Sequence, residues 1–323
     1  MSNIYRPEGA LISTLQNKEY ISSLSGLERA MADGRILEST VLFCDSSMRL
    51  HVDLGEVCGI IEKNEALYCR PHEAIKDIAV ITRVGKPICF KVMGFKKDGS
   101  GKTVALLSRK EAQKECNEAY LTSLRTGDVI EARVTHLESF GAFVDIGCGL
   151  SSLLTVDSIS VSRISHPRDR VNVGDKIYVV VKSKDEQSGR IYVSMRELLG
   201  TWEENVAEFE VGQTVSGIIR SVENYGVFVE LTPNLAGLAE LREGLDISDV
   251  TDTIGCNTAV YIKSILPDRM KIKLVLIDPY RSLPTENSRM RPKYFIDCEN
   301  TRHLSYWKYS PERSQKVIES IFE

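Results

Sequence analysis

One pattern of alternating apolar and polar residues occurs twice in the chain and returns in weaker form a third time. The segment 138–147 reads Glu-Ser-Phe-Gly-Ala-Phe-Val-Asp-Ile-Gly, and the segment 223–231 reads Glu-Asn-Tyr-Gly-Val-Phe-Val-Glu-Leu. The matching residues Phe143 and Phe228 are 85 residues apart, which is the length of a small domain. A weaker copy, Met-Arg-Leu-His-Val-Asp-Leu-Gly, lies at 48–55. Repetition at a domain-sized interval predicts a tandem array of one fold.

Each copy predicts a β-strand with one face in a core. Ala142, Val144 and Ile146 alternate with Phe143 and Asp145, so the first three face inward and the other two face outward. A glycine after the preceding aromatic lets the strand bend, which brings the two aromatics of each copy together. The predicted outward pairs are Phe140 with Phe143 and Tyr225 with Phe228.

These outward aromatic pairs have two interpretations. They can stack on unpaired bases, since every base has a π-face, or a neighbouring loop or helix can cover them. The recurrence of the pair at one position in two copies favours stacking. In the first copy, Met48 and His51 stand where the others carry aromatics. We therefore expect weak or no stacking there, with His51 a lone surface residue.

Apolar periodicity, turn signals and helix formers divide the chain into seven segments of an all-β protein. We expect five short strands in each copy and short helices between copies, with Trp202 packing one of these helices onto a barrel. The predicted segments are an N-terminal helical extension at 1–34, a divergent barrel at 35–109, a connecting helix at 110–124, a barrel at 125–195, a connecting helix at 196–210, a barrel at 211–278 and a C-terminal tail at 279–323, with a helix at 311–322.

Composition narrows the class of protein. The 323 residues allow two or three domains, and a hydrophobic content of 42% is enough for their cores. No apolar run approaches the roughly 20 residues of a membrane span. The N-terminus lacks a basic-then-apolar signal pattern, so we expect a cytoplasmic protein. The eight cysteines form no Cys-x-x-Cys pair, so we expect no disulfide frame, metal site or cofactor.

Charge and candidate chemistry favour local binding over catalysis. A net charge of −4 argues against a protein that coats nucleic acid by bulk electrostatics. The five histidines do not pair with Ser, Cys or Glu at a recognisable catalytic spacing, so we expect no enzyme activity. The cations expected to contact phosphates are Arg168, Arg170, Arg190 and Arg220.

Five short strands that close a barrel are the plan of the oligonucleotide-binding (OB) fold. The segments 125–130, 145–147, 173–177 and 189–194 resemble the S-one RNA-binding domain, named after a protein of the small ribosomal subunit. The segments 211–217, 225–229 and 235–238 show the same resemblance. The likeness covers roughly residues 35–278, and the whole chain is similar to the short, three-domain S-one-like proteins of low-GC Gram-positive bacteria.

The resemblance implies an RNA surface made of two aromatics, a histidine, and an acidic and a basic residue near the last strand. The implied residues are Phe140, Phe143, Asp185 and Arg190 in the second copy, and Tyr225, Phe228, Asp268 and Lys271 in the third. Thr155 and Glu240 stand at the histidine positions. Because a glutamate repels phosphate, we expect weaker binding by the third copy, or a different path for the RNA.

The function implied by the resemblance is binding of single-stranded RNA, in particular mRNA, by a monomer associated with the small ribosomal subunit and translation. One alternative is a protein-interaction scaffold in which the first copy and the tail bind protein. Another is an RNA-decay or transcription accessory, with ribosome binding absent or secondary. The aromatics of the tail either serve a protein partner or anchor the tail against the third barrel; they are Tyr294, Phe295, Tyr306, Trp307 and Tyr309.

Overall fold

The computed structural model of the protein describes residues 3–69, 74–185, 188–241, 250–279 and 291–322. These residues form three closed five-stranded barrels, so the predicted tandem array of barrels is confirmed. In barrels 1 and 3, the third and fifth strands pair in parallel and close the barrel. In barrel 2 the corresponding pair is also parallel.

Barrel 1 is built on the divergent copy. Its strands are β1 (Leu37–Cys44), β2 (Leu50–Leu54), β3 (Val57–Ile61), β4 (Pro87–Lys97) and β5 (Thr103–Ser108), closed in the order β1-β2-β3-β5-β4. Inward residues such as Val41, Val52 and Phe90 are fully buried in its core.

Barrel 2 is built on the second copy. Its strands are β6 (Val129–Glu138), β7 (Gly141–Asp145), β8 (Ser151–Thr155), β9 (Lys176–Lys184) and β10 (Ile191–Ser194), closed in the order β10-β8-β7-β6-β9. Ala142 and Val144 of β7 are fully buried, as their alternation with Phe143 and Asp145 predicts.

Barrel 3 is built on the third copy. Its strands are β11 (Thr214–Glu223), β12 (Gly226–Thr232), β13 (Leu235–Glu240), β14 (Asn257–Leu266) and β15 (Lys271–Pro279), closed in the order β11-β12-β13-β15-β14. Val227 and Val229 of β12 are fully buried, while Phe228 between them is half-buried on the outer face.

The N-terminal extension contains two helices, where one was expected. Helix α1 (Leu15–Ile21) is capped by Thr14, and α2 (Leu24–Ala32) is capped by Ser23. A short helix α3 (Asp77–Ile81) follows β3 in barrel 1. Helix α4 (Arg109–Cys116) continues as a π-helical turn at Asn117–Leu121, in agreement with the predicted connecting helix.

The second predicted connecting helix, at 196–210, is wrong as a continuous element. A 3₁₀ turn at Arg196–Leu198 and a five-residue helix α6 (Trp202–Val206) replace it, and a short helix α5 (Val156–Ile159) lies before β9. Gly200, between the turn and α6, has a φ of +81°, a left-handed conformation that interrupts the helix. Trp202 is buried in the core of barrel 3, so its predicted packing role is confirmed.

The predicted C-terminal helix at 311–322 is also wrong. Strands β16 (Tyr306–Lys308) and β17 (Glu319–Ile321) pair antiparallel as a small sheet. Residues 280–290 of the predicted tail lie outside the described residues. The described tail is packed against barrels: Trp307 and Tyr309 join the core of barrel 3, and Tyr294 and Phe322 join an apolar cluster with Val180 of β9.

The chain divides into two compact units. The first comprises 1–124, 131–133 and 145–151, and the second comprises 125–130, 134–144 and 152–323. Within the second unit, the segment between β8 and β9 contacts barrel 3. The N–H of Val161 donates to Asn234 Oδ1 at 2.9 Å, and the Val161 side chain packs against the core of barrel 3.

Candidate nucleic-acid interface

The predicted aromatic pair of barrel 2 comes together on its outer surface. Phe140 is 54% exposed, and its ring meets the half-buried ring of Phe143 edge to face, with centroids 6.1 Å apart and planes at 90°. The glycine between them allows close approach of β7 and β8, because a Cβ on Gly141 would lie 2.5 Å from the carbonyl oxygen of Leu154. Glycine at this position therefore allows the close strand packing that goes with the Phe140–Phe143 contact.

Barrel 3 repeats this arrangement. Tyr225 is 67% exposed, and its ring meets Phe228 with centroids 6.2 Å apart and planes at 90°. A Cβ on Gly226 would lie 2.7 Å from the carbonyl oxygen of Ala239 on β13, and the φ of Gly226 is +145°. The exposure of Phe140 and Tyr225 excludes, within the described residues, the alternative in which a neighbouring element covers both pairs.

Two further rings lie on the outer face of barrel 2, and sequence reasoning missed both. His136 of β6 stacks beside Phe143 with centroids 6.4 Å apart and planes 26° apart. Its Nε2 lies 2.7 Å from Glu138 Oε1, which orients the ring. Tyr192 of β10 is half-buried on the outer face and pairs with Leu153 of β8. Outward alternation in β6 and β10 is the signal that could have found them.

The first copy differs from expectation. His51 is not a lone surface residue: its ring stacks on Phe43 of β1 at 4.2 Å between centroids, with planes 11° apart. Its side chain is 14% exposed, and its Nε2 lies 3.1 Å from Asp45 Oδ2. The pairing of β1 with β2 brings Phe43 to His51, a contact that the strand pattern of the first copy alone did not indicate.

Asp185 and Arg190 occupy one exposed hairpin of barrel 2. The backbone N–H of Asp185 donates to the carbonyl of Arg190 at 2.8 Å, and the Asp185 carboxylate accepts hydrogen bonds from Ser188. Both side chains are exposed. Arg190 precedes Tyr192 by two residues, and alternation therefore directs both toward the same face. Arg168 is also exposed, in a 3₁₀ turn at Pro167–Asp169.

In barrel 3, a row of cross-strand partners begins at Phe228. Phe228 pairs with Leu238, and Leu238 pairs with Lys273 of β15. Lys273 is exposed and was not predicted. The predicted residues Asp268 and Lys271 are also exposed, at the turn into β15, and Lys271 lies two residues before Lys273 on the same face.

The two residues at the expected histidine positions have their own partners. Thr155 Oγ1 lies 2.9 Å from Ser158 Oγ. Glu240 is exposed and bonded to Lys263 Nζ at 2.6 Å, and this bond, with the nearby charges of Lys263 and Lys273, lowers the pKa of the Glu240 carboxyl. The negative charge expected to repel phosphate thus lies next to two lysines.

Arg170 was predicted to contact phosphates, and because it is buried this prediction is wrong; Arg220, predicted with it, is partly buried. Arg170 is 2% exposed; its Nη2 lies 2.7 Å from Glu230 Oε1 and donates to the carbonyl of Pro233 at 3.0 Å. Arg220 donates its Nε–H to Glu230 Oε2, and its Nη1 lies 3.3 Å from Asp169 Oδ1. Both guanidinium groups are thus engaged by carboxylates. Burial raises the pKa of the Glu230 carboxyl, although both arginines oppose that rise.

Asp145, predicted to face outward into solvent, is buried as well. Its carboxylate accepts a hydrogen bond from the N–H of Glu8 at 2.7 Å and others from Gly147 and Gly149. Burial, followed by the charge of Glu8, raises the pKa of Asp145 to about 7. Glu8 itself binds Arg109 in two hydrogen bonds, of 2.7 and 2.9 Å. A segment distant in sequence therefore covers the strand position that alternation marks as outward.

The described residues contain no group of three or more His, Cys, Asp or Glu side chains placed to hold a metal ion. No disulfide bond joins any of the eight cysteines, all of which lie within the described ranges. In the part of the chain that the structure describes, no helix is long and apolar enough to cross a membrane.

Comparison with known proteins identifies the domain type. Residues 123–196, which contain all five strands of barrel 2, match the S1 RNA binding domain family. The small ribosomal subunit protein bS1 of Staphylococcus aureus is 31% identical over 240 residues, covering 73% of this chain and 58% of the relative. The bS1 protein of Staphylococcus saprophyticus is 38% identical over 143 residues, covering 43% of this chain and 36% of the relative. The chain therefore spans less than two thirds of the curated relatives that it matches.

A solved structure of a multidomain protein with nucleic acid binding domains from Streptococcus pneumoniae covers 77% of this chain and 75% of its own, at 14% identity. Its TM-score of 0.24 is too low to support a conclusion about the chain.

The family match and the curated relatives together identify residues 123–196 as an S1 RNA-binding domain, in a chain that is homologous to bacterial ribosomal protein bS1 over 73% of its length.

Proposed function

We propose that this chain binds single-stranded RNA, such as mRNA, across the outer faces of barrels 2 and 3. The observation that carries the proposal is the repeated edge-to-face pair, Phe140 with Phe143 and Tyr225 with Phe228, at 6.1 and 6.2 Å. Stacking of a base on an aromatic side chain contributes about 1–3 kcal/mol and tolerates any base. Four such rings supply useful affinity to a chain whose net charge is −4.

The phosphates of the RNA would be met by cations at the edges of these two faces. Arg168 and Arg190 serve barrel 2, and Lys271 and Lys273 serve barrel 3, since all four side chains are exposed. Asp185 and Asp268 lie beside these cations and would orient the strand by accepting hydrogen bonds from bases or sugars. Recognition by stacking and phosphate contact predicts loose sequence preference and affinity that falls with salt.

The test is the affinity of a labelled single-stranded RNA of about 12 nucleotides, a length that one or two barrels accommodate. Phe140→Ala with Phe143→Ala, and separately Tyr225→Ala with Phe228→Ala, should each weaken binding at least about fivefold. Val173→Ala and Val211→Ala serve as controls, because they remove apolar side chains of the same unit whose exposure is similar to that of Phe140 and Tyr225. Unchanged affinity in both pair variants, with RNA still bound, would refute the proposal.

The homology to bS1 supports a role at the small ribosomal subunit, in translation and hence in the cytoplasm. On this proposal the chain acts as a monomeric binding protein and not as an enzyme. Sedimentation of a lysate on a sucrose gradient, before and after RNase trims exposed mRNA, tests the ribosomal part. Retention with the small subunit after trimming supports direct association, whereas sedimentation away from ribosomes in both samples contradicts it.

A further inference from the structure

Barrel 1 carries an exposed, stacked ring pair of its own. Phe43 on β1 is 50% exposed, and its ring lies parallel to that of His51 on β2, with centroids 4.2 Å apart. The two residues are directly opposite each other in the antiparallel pairing of β1 with β2. One face of Phe43 is therefore covered by His51, and half of the side chain remains open to solvent.

The position of this pair matches the stacking faces of the other two barrels. In barrel 1 the strand register shifts between Val41 and Phe43, immediately before the Phe43–His51 pair. In barrel 3 the register shifts between Ile219 and Ser221, immediately before the pair of Ser221 with Phe228. His51 thus occupies the place of Phe228, and Phe43 occupies the place of Ser221.

Barrel 2 contains the same two ring types with their strands exchanged. There the histidine, His136, stands on the first strand and stacks beside Phe143 on the second. His136 lies 85 residues before Ser221, the same interval that separates Phe143 from Phe228. In barrel 1 the phenylalanine stands on the first strand and the histidine on the second. Because barrel 1 carries its phenylalanine on the first strand, a search for aromatics on the second strand does not find this pair.

Neighbouring polar groups hold the histidine of the pair in place. Asp45 accepts from the guanidinium Nε–H of Arg49 at 2.8 Å and lies 3.1 Å from His51 Nε2, which fixes the orientation of the imidazole. Across the sheet, His51 pairs with Ile60, and Ile60 pairs with Leu106. Beyond His51 the row of strand partners therefore continues with apolar residues, of which Ile60 is buried.

We propose that barrel 1 is a third nucleobase-stacking platform of this chain, in which an unpaired base stacks on Phe43 while His51 supports the ring from behind. The inference rests on the proposed RNA-binding function and extends it to the barrel with the most divergent sequence. An unpaired base fits because it is planar, presents a π-face, and extends a parallel stack that already exists.

A tryptophan placed at the pair provides a local test. The native residues Trp202 and Trp307 are buried, so Phe43→Trp introduces an exposed reporter whose emission a stacked base quenches. The full chain also carries Phe140→Ala, Phe143→Ala, Tyr225→Ala and Phe228→Ala, so that failure of barrels 2 and 3 does not mask barrel 1. We expect saturable quenching by single-stranded oligo(A) of about 12 nucleotides.

Leu42→Trp in the same background is the matched control, because Leu42 is adjacent, 53% exposed and at the register shift rather than in the pair. In the otherwise native chain, Phe43→Ala should weaken RNA affinity at least about fivefold, and Leu42→Ala should not. The inference is overturned if the Phe43→Trp chain shows no quenching, or if the Phe43→Trp and Leu42→Trp chains are quenched equally. If RNA affinity falls only when the rings of barrels 2 and 3 are removed, the proposed RNA-binding function holds and barrel 1 takes no part in it.

Discussion

At the scale of single residues, the strand register makes Lys273 a better candidate for phosphate contact than Lys271, the residue that sequence reasoning chose. The predicted cation, Lys271, lies where β15 begins, whereas Lys273 stands opposite Leu238 in the row that starts at Phe228. Resemblance places a basic residue near the last strand, but only the pairing of β13 with β15 identifies which side chain lies in the row.

Replacing Lys273 with Ala should therefore weaken RNA binding and reduce the slope of log affinity against log salt by about 1, since one phosphate contact is lost. Lys114→Ala removes the same charge from an exposed position on α4 and should leave the slope unchanged. Salt titration of both variants by fluorescence anisotropy measures the difference. Equal slopes in the two variants would exclude Lys273 from phosphate contact.

A second residue-scale consequence concerns pH. Burial, together with the charge of Glu8, raises the pKa of Glu38 to about 7, although its Oε2 accepts hydrogen bonds from the N–H groups of Gly9, Leu11 and Ile12. The folded state therefore holds this proton more tightly than the unfolded state, where the pKa is near 4.5. Stability from this group is greatest below pH 4.5 and is lost as pH rises toward 7.

Glu38→Gln should flatten the dependence of stability on pH between about 4.5 and 7, removing a change of about 3 kcal/mol. Asp145, whose pKa is also raised to about 7, acts in the same direction and should leave a residual slope. Thermal unfolding of the full chain at several pH values compares the two proteins. A slope in the variant as steep as in the wild type would contradict the assignment.

At the scale of elements, two equivalent strand positions bury an acid that alternation marks as outward. Asp145 ends β7 and Glu230 lies in β12, 85 residues later. Asp145 is covered by the N-terminal segment at Glu8, and Glu230 by Arg170. The repeat predicted the strands well, but the covering groups lie 137 and 60 residues away in sequence, beyond any local pattern.

The buried cluster around Glu230 joins the segment between β8 and β9 to barrel 3. Glu230→Ala would leave Arg170 buried without its carboxylate and Arg220 with only Asp169, so we expect a loss of about 3–5 kcal/mol in the free energy of unfolding. Glu240→Ala, which breaks the exposed pair with Lys263, should leave the unfolding midpoint nearly unchanged. Urea denaturation measures both.

A further variant separates loss of the ion pairs from loss of packing. Replacing Arg170 and Arg220 with Met together with Glu230→Leu removes all three charges, and should recover much of the stability lost in Glu230→Ala. If Glu230→Ala is no more destabilising than Glu240→Ala, the cluster has no structural role and the two arginines return as candidates for RNA contact.

At the scale of the whole molecule, the 85-residue repeat predicted the number and type of barrels, whereas the tail was mispredicted. The repeat carries information because three copies share one hydrophobic alternation. The tail has no internal copy, and its short strands β16 and β17 are stabilised by packing on barrels that its own sequence does not reveal. Of the two roles considered for its aromatics, anchoring is supported for Trp307 and Tyr309, which lie in the core of barrel 3.

Because Trp307 of the tail lies in the core of barrel 3, its removal should destabilise the fold and should not act by weakening the binding of a protein partner. Trp307 is 8% exposed, and Trp307→Ala should cost about 3–5 kcal/mol. Tyr306, its neighbour, is 50% exposed, and Tyr306→Ala should be far less destabilising. Hydrogen exchange of the full chain should show lost protection in barrel 3 for the first variant only. Native protection in both variants would make the tail a surface available for binding.

The proposal that base stacking by barrels 2 and 3 binds single-stranded RNA is tested most directly by a salt titration of RNA affinity. The wild type is compared with a variant carrying Phe140→Ala, Phe143→Ala, Tyr225→Ala and Phe228→Ala. We expect parallel lines of log affinity against log salt, with the variant at least about tenfold weaker, because stacking is lost while phosphate contacts remain. Superimposed lines would show that the four rings do not bind RNA.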